Sequence, residues 1–250
     1  MANWSDPRPD VRVTSLHAAT DTRSVAYDAG LRAYMLSVYN YMASAVLLTG
    51  IVAMAMYASG ADSVLFAANG RPSGLGWIVT FSPLAIVFAM SFGQNRMSAG
   101  TLQGLFWGYA DLLGLSLSTL FHAYTGGSIA GAFFATAAGF AGLSLWGYTT
   151  QRNLSAFGSF LIVGLVGIIA AMLVNLWLHS TAIELLVSVI GVLIFAGLTA
   201  YDTQRTKSIY AYVAGTGQED RSKVMSALNL YLDFINMFLF ILRLFGSSRN

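Results

Sequence analysis

Cysteine is absent from the 250 residues. Disulfides, thiolate metal sites and a cysteine nucleophile are therefore excluded. Charge is also scarce. Asp, Glu, Lys and Arg make up 10% of the chain, against about 25% in an ordinary soluble domain. So few charges cannot cover a water-soluble globule. What the chain has instead is apolar: 56% of residues are hydrophobic and the mean hydropathy is +0.64. That composition is one of a membrane protein. A net charge of +2, with no basic patch, gives no sign of nucleic-acid binding.

Runs without charge give the number of crossings. Residues 33–61 carry none, nor do 72–95; 97–151 hold only Asp111, and 153–201 only Glu184. A spanning helix needs about 20 apolar residues, so the first two runs hold one span each and the last two hold two each. Tyr124-Thr125-Gly126-Gly127-Ser128 breaks the third run, and His179-Ser180-Thr181 breaks the fourth, with hydroxyls placed to cap a new helix. Six spans follow, at 34–58, 77–95, 98–122, 127–149, 155–178 and 181–205, with a more polar seventh at 224–244. The runs are apolar all round, not alternating, so they predict an all-α integral membrane bundle and not a β-barrel. Gly104/Gly108 and Gly127/Gly131 match G-x-x-x-G and suggest close helix packing.

Residues 1–32 form a polar arm without the apolar core of a signal peptide, read as a partly disordered tail. Residues 33–246 form the membrane domain, and 247–250 a short tail. With the N-terminus in the cytoplasm, ten of the thirteen Lys and Arg fall inside, and Arg71, Arg243 and Arg249 outside. The positive-inside rule favours that orientation.

Ionisable residues at membrane depth cost about 2.5–3.5 kcal/mol each on insertion scales and are functional candidates by default. Asp111, Glu184, Asp202 and Asp233 qualify. Asp202 and Asp233 form the informative pair. Midway between them lies position 217.5, inside the turn-like Ala214-Gly215-Thr216-Gly217-Gln218. Residues equidistant from the turn of an antiparallel hairpin lie at one depth, so the two carboxyls are level. Ser226, Asn229, Asp233 and Asn236 form one polar stripe, and Thr199, Asp202 and Thr206 another. Two carboxylates that close should share a proton, and they form a hard-oxygen cation site for transient Ca²⁺. The plainer reading is that each Asp caps a helix or reaches the surface.

Asp111 belongs either to a polar path or to a local pair. Glu184 is most simply a partner of a helix N-terminus. His17, His122 and His179 show no ligand spacing. Arg96 is either a topology charge or a counter-ion for the aspartates. Arg205, three residues after Asp202, competes for that role.

The last 60 residues carry a resemblance. Gly197-Leu198-Thr199-Ala200-Tyr201-Asp202-Thr203-Gln204 resembles the sixth-helix motif of the Bax inhibitor-1 family, also called the transmembrane Bax inhibitor motif family. Ala227-Leu228-Asn229-Leu230-Tyr231-Leu232-Asp233-Phe234-Ile235-Asn236, with Leu242-Arg243-Leu244-Phe245-Gly246, resembles the seventh. Tyr34-Met35 with Val38-Tyr39-Asn40-Tyr41-Met42, and Gly114-Leu115-Ser116-Leu117-Ser118, resemble the first- and third-helix motifs. The likeness spans 32–246 and is strongest to bacterial members.

The resemblance implies seven transmembrane helices with the C-terminal one central. It implies a pH-sensitive calcium leak whose proton sensor is an aspartate pair, mapping to Asp202 and Asp233, with an arginine partner that maps to Arg96. Asn229, Asn236, Thr199, Asp111 and Arg205 are candidate supporting polar residues. Some bacterial relatives carry an acid inside the second helix; residues 82–94 hold none here. Two functions follow. The first is a cation leak, for Ca²⁺ above all, gated by the pair. The second, also implied by the resemblance, is an interaction protein that modulates a membrane-bound AAA protease or a stress response through the N-terminal arm. Enzymatic activity and a resident cofactor are not expected: no G-x-S-G string occurs, and the only lysines, Lys207 and Lys223, are not mid-membrane. Short loops and the likeness favour a bacterial inner membrane.

Overall fold

The computed structural model describes residues 11–67 and 70–247, with side chains from Val25 onward. Helix α1 runs Val11–Ser59, α2 Gly74–Gly93 and α3 Ala99–Leu117. A single turn, α4, covers Leu120–Ala123; α5 follows at Gly126–Thr149, α6 at Ser155–Leu178, α7 at Thr181–Val213 and α8 at Glu219–Phe245. There is no strand among the described residues, only an isolated bridge between Phe66 and Pro72 in the α1–α2 loop.

Hydroxyl residues start four of these helices. The side chains of Ser73, Ser98, Thr125 and Ser180 accept the N–H of Gly76, Thr101, Ser128 and Ile183. Each satisfies a donor that the first helical turn leaves free, as N-caps do. Both breaks predicted from turn chemistry are thus present. α6 stops where His179 turns left-handed at φ 49°.

Six helices are long and apolar enough to cross a membrane: α1 from Val25 on, α2, α5, α6, α7 and α8. α3 is not among them. It is also shorter than the predicted 98–122. The hydroxyls of Ser118 and Thr119 bond back to the carbonyls of Leu115 and Ser116, and such local bonds compete with the helix ladder.

α8 is the most buried helix, with two-thirds of its apolar window enclosed against a third or less for the others. It packs against α1, α3, α5 and α7. Tyr231 sits edge-on to Phe106 and Tyr109, and its hydroxyl bonds Thr49 of α1 at 2.6 Å. Phe234 is edge-on to Phe133 and Phe140 of α5. In lipid such van der Waals packing, not exclusion from water, holds helices together.

The arm expected to be a tail differs. Residues 1–10 lie outside the described residues, but from Val11 the chain is helical and runs unbroken into the first span. Leu31 and Tyr34 are buried, and Tyr27 and Tyr34 pack on Tyr210 of α7 at 5.3 and 5.2 Å. The same contact explains why α7 outruns its predicted end at 205. Its last two turns have an apolar partner although Arg205 and Lys207 are polar. At the other terminus Ser247 donates to Ser128 and accepts from Thr125, while 248–250 lie outside the described residues.

The G-x-x-x-G expectation is corrected. A Cβ at Gly104, Gly108, Gly127 or Gly131 would meet nothing within 4 Å. Close approach occurs instead at Gly147, whose Cβ would lie 2.3 Å from the Ala200 carbonyl oxygen. The motif marks a small-residue face, and on α3 that face points away from the helices that α3 packs against.

Candidate functional site: a buried aspartate pair on the last hairpin

α7 and α8 are antiparallel, and the connection Ala214–Gln218 is closed by Gly215 in the left-handed region at φ 71°. A non-glycine residue would be strained there. Both helices continue to this turn, so Asp202 and Asp233 come level, and their carboxyls line one small cavity together. Asp233 is only 3% exposed, and its Oδ2 is a buried oxygen with no hydrogen-bond partner among the described residues. A carboxylate is an acceptor only. Two carboxyls can therefore bond each other only if one holds a proton.

The surroundings are uneven. Arg205, one turn along α7, interacts electrostatically with Asp202. A cavity of about 170 Å³ adjoins the pair, lined by Asp202, Asp233, Arg205 and Asn229 with Ile162 and Leu165 of α6. A second cavity, about 340 Å³, shares Arg205 and Asn229 and extends past Gln94, Asn95, Gln218 and Arg221 at the end of the bundle that holds the hairpin turn. One side of the pair is thus apolar; the other leads through polar side chains to a helix end.

The remaining sequence candidates are placed as follows. Arg96 lies exposed in the turn after α2, lines neither cavity, and forms no ion pair among the described residues. The structure does not bring it to the aspartates, because the chain turns there and Arg96 N bonds the Gly93 carbonyl. Arg205, and not Arg96, is the basic residue that lines the cavity of the aspartates. Asn229 faces both cavities. Asn236 and Thr199 spend their side chains on the carbonyls of Leu232 and Phe195 in their own helices. Asp111 is exposed on α3 and joins neither cavity. Glu184 lies in the first turn of α7, 3.9 Å from Arg243.

One pair has no sequence signal. Asp62, in the α1–α2 loop with a side chain 3% exposed, accepts from His122 Nε2 through its Oδ2. Tyr57 and Phe66 flank that imidazole edge-on at 5.1 and 6.1 Å. The partners stand 60 positions apart, with no periodicity to link them. Among the described residues no three His, Cys, Asp or Glu gather as a metal site.

A family model described as "Inhibitor of apoptosis-promoting Bax1" matches residues 31–250. The chain belongs to the Bax inhibitor-1 family. Its similarity to bacterial proteins runs nearly end to end. It is 44% identical over 223 residues to the inner membrane protein YbhL of Escherichia coli K12, covering 88% of this chain and 94% of YbhL. It is 45% identical over 233 residues to protein RP147 of Rickettsia prowazekii, covering 92% and 96%. A protein of Caulobacter vibrioides is 41% identical over 239 residues, covering 92% and 94%. This Bax inhibitor-1 family member is a multi-pass membrane protein, and YbhL places a relative in an inner membrane.

Proposed function

We propose that this family member is a cation leak, most suited to Ca²⁺, gated by the shared proton of Asp202 and Asp233. The observation that carries the reading is the meeting of two acids at one cavity on the α7–α8 contact, with one oxygen of Asp233 buried and unmatched among the described residues. With one proton the pair ties the two helices together. Losing it puts two like charges at that contact, a repulsion on the order of 4 kcal/mol for unit charges about 4 Å apart at a protein surface. The helices loosen, and the same carboxylates attract a cation from the cavity at Arg205 and Asn229. Ca²⁺ takes about 6–8 oxygens when held. Two carboxyls and an amide offer too few, so the ion is cargo that passes and not a resident. No catalysis is assigned to the site.

The leak reading takes α3 as a seventh crossing and α8 as the central helix. Ser116 of α3 donates to the Val79 carbonyl of α2 at 3.0 Å. Midway between 116 and 79 is position 97.5, in the α2–α3 turn. α3 therefore returns along nearly the whole of α2. If α2 crosses, so does α3. The N-terminus is assigned to the cytoplasm by the Lys and Arg count alone.

The test is Ca²⁺ entry into liposomes holding a Ca²⁺-sensitive dye, from about pH 5 to about pH 8. Flux should rise as pH rises and the shared proton leaves. Asp202→Asn and Asp233→Asn keep a neutral hydrogen-bonding group at the contact, so each should hold flux low and flat with pH. Wild-type pH dependence retained in both variants sinks the gate. Folded protein with no flux at any pH sinks the leak, and turns attention to the interaction function that the resemblance implies.

A further inference from the structure

We propose that the protein holds one anionic phospholipid, from the leaflet at the N-terminal end of the bundle, between α1, α5 and α7. A groove of about 550 Å³ opens between α1 and α5, walled by Met35, Leu36, Phe140, Ala141 and Leu145. Its floor carries a short hydrogen-bond chain in which Tyr39 meets Ser144 at 2.5 Å and Ser144 meets Thr203 at 3.0 Å. Those hydroxyls are spent on each other, so the groove offers an occupant apolar contact and little else. It runs inward from Arg32 to Tyr39, about 10 Å along the helix at 1.5 Å per residue.

The outer end of the groove is cationic. Arg32 lines it, and so does Tyr148. Lys207 is fixed over Tyr148, with Nζ donating to the Tyr148 carbonyl at 3.1 Å and lying 5.0 Å from its ring. An adjoining polar cavity of about 590 Å³ is lined by Lys207, Arg152 and Arg205. Asp28 is the one acid on that lining. Among the described residues Arg32, Arg152 and Lys207 form no ion pair with a carboxylate, while Arg205 lies on the helix turn after Asp202 without a salt bridge to it. Basic pockets between transmembrane helices bind anionic head groups.

The occupant must place an anion at the membrane surface and an apolar chain directly below it. A free phosphate leaves the groove unused. A peptide segment would bring backbone donors and acceptors into a slot that cannot answer them. A phospholipid with a net negative head group satisfies both parts. Through Arg205 it would touch a residue one turn beyond Asp202, but lipid retention is independent of whether the aspartates gate a leak.

The experiment uses the purified full chain in detergent, offered equal amounts of phosphatidylglycerol and phosphatidylcholine with the same acyl chains. Native mass spectrometry counts the lipid retained. Wild type should keep phosphatidylglycerol over phosphatidylcholine, and each cation removed should lower that preference about fivefold. Arg152→Gln with Lys207→Gln should bring the two lipids near parity. Ala141→Trp, which fills the groove and leaves the charges, should lower retention of both. Equal retention by wild type overturns the proposal, and that comparison needs no variant to fold. So does a preference untouched by the double substitution. Displacement of the lipid by glycerol phosphate, which has no chains, would reveal an anion site only and overturns it. Retention that appears only when residues 1–24 are deleted would assign the groove to the arm and overturns it equally.

Discussion

A buried carboxyl needs either a donor or a proton, and this chain solves the problem in two ways. Asp233 meets a second acid, whereas Asp62 meets the imidazole of His122. The second solution makes a stability prediction. His122→Ala leaves the Asp62 carboxyl buried without its imidazole, and an unsatisfied buried polar group costs about 1–3 kcal/mol. Unfolding in mixed micelles should show a loss in that range, and His122→Gln, which can still donate, should recover part of it. An unchanged unfolding midpoint in His122→Ala would mean that the carboxyl finds another donor. The two solutions also differ in legibility. Asp202 and Asp233 can be read from sequence because a tight turn relates their positions by arithmetic. Asp62 and His122 are joined only by the packing of two loops, and no spacing rule reaches from one to the other. Arg96 is placed away from the aspartates for a related reason. Its distance along the chain from the third-helix motif fits the counter-ion role, but the helix ends before it and Arg205 is already one turn from Asp202.

Helices in a bilayer come close only where side chains are small. Between α5 and α7 the contact is at Gly147, against the backbone of Ala200, and not at either G-x-x-x-G match. Gly147→Val should therefore force α5 away from α7, at the cost of about 1–3 kcal/mol usual for overpacking. Gly108→Ala meets open space and should change stability by less than about 0.5 kcal/mol. The same mixed-micelle unfolding measures both, and equal effects would mean that the α3 face is occupied. Element existence is legible here because charge-free runs and hydroxyl caps mark helix cores and starts. Element ends are not. α7 runs eight residues past its expected limit at 205, to Val213, because Tyr210 finds Tyr27 and Tyr34 on α1. Local hydropathy cannot register a partner more than 170 positions away.

The whole molecule depends on a helix that does not look like a span. α3 carries Gln103, Asp111 and four glycines in 19 residues, and its hydropathy falls short. Yet much of its polarity is spent inside the protein. Gln103 donates to Tyr41 of α1 at 2.8 Å, and Ala110 accepts from Thr49, whose hydroxyl also meets Tyr231. Helices that pack on others tolerate polar groups that an isolated one would not. Crossing by α3 fixes the parity of everything after it. If it crosses, the α2–α3 turn and the α7–α8 turn lie on one side, and the α1–α2 loop and the start of α5 on the other. The absence of cysteine makes this directly measurable. Single substitutions at exposed turn positions, Asn95→Cys, Thr216→Cys and Ser63→Cys, can be labelled in sealed vesicles by a membrane-impermeant maleimide, together with Gly126→Cys at the start of α5. Asn95→Cys and Thr216→Cys should react from the same face, which the Lys and Arg count assigns to the cytoplasm. Ser63→Cys and Gly126→Cys should react from the opposite one. Labelling of Asn95→Cys and Gly126→Cys from a single face would make α3 a re-entrant segment. It would also reverse α5 and α6 relative to α1, and remove the common entrance for the cavity that leads to Asp202 and Asp233.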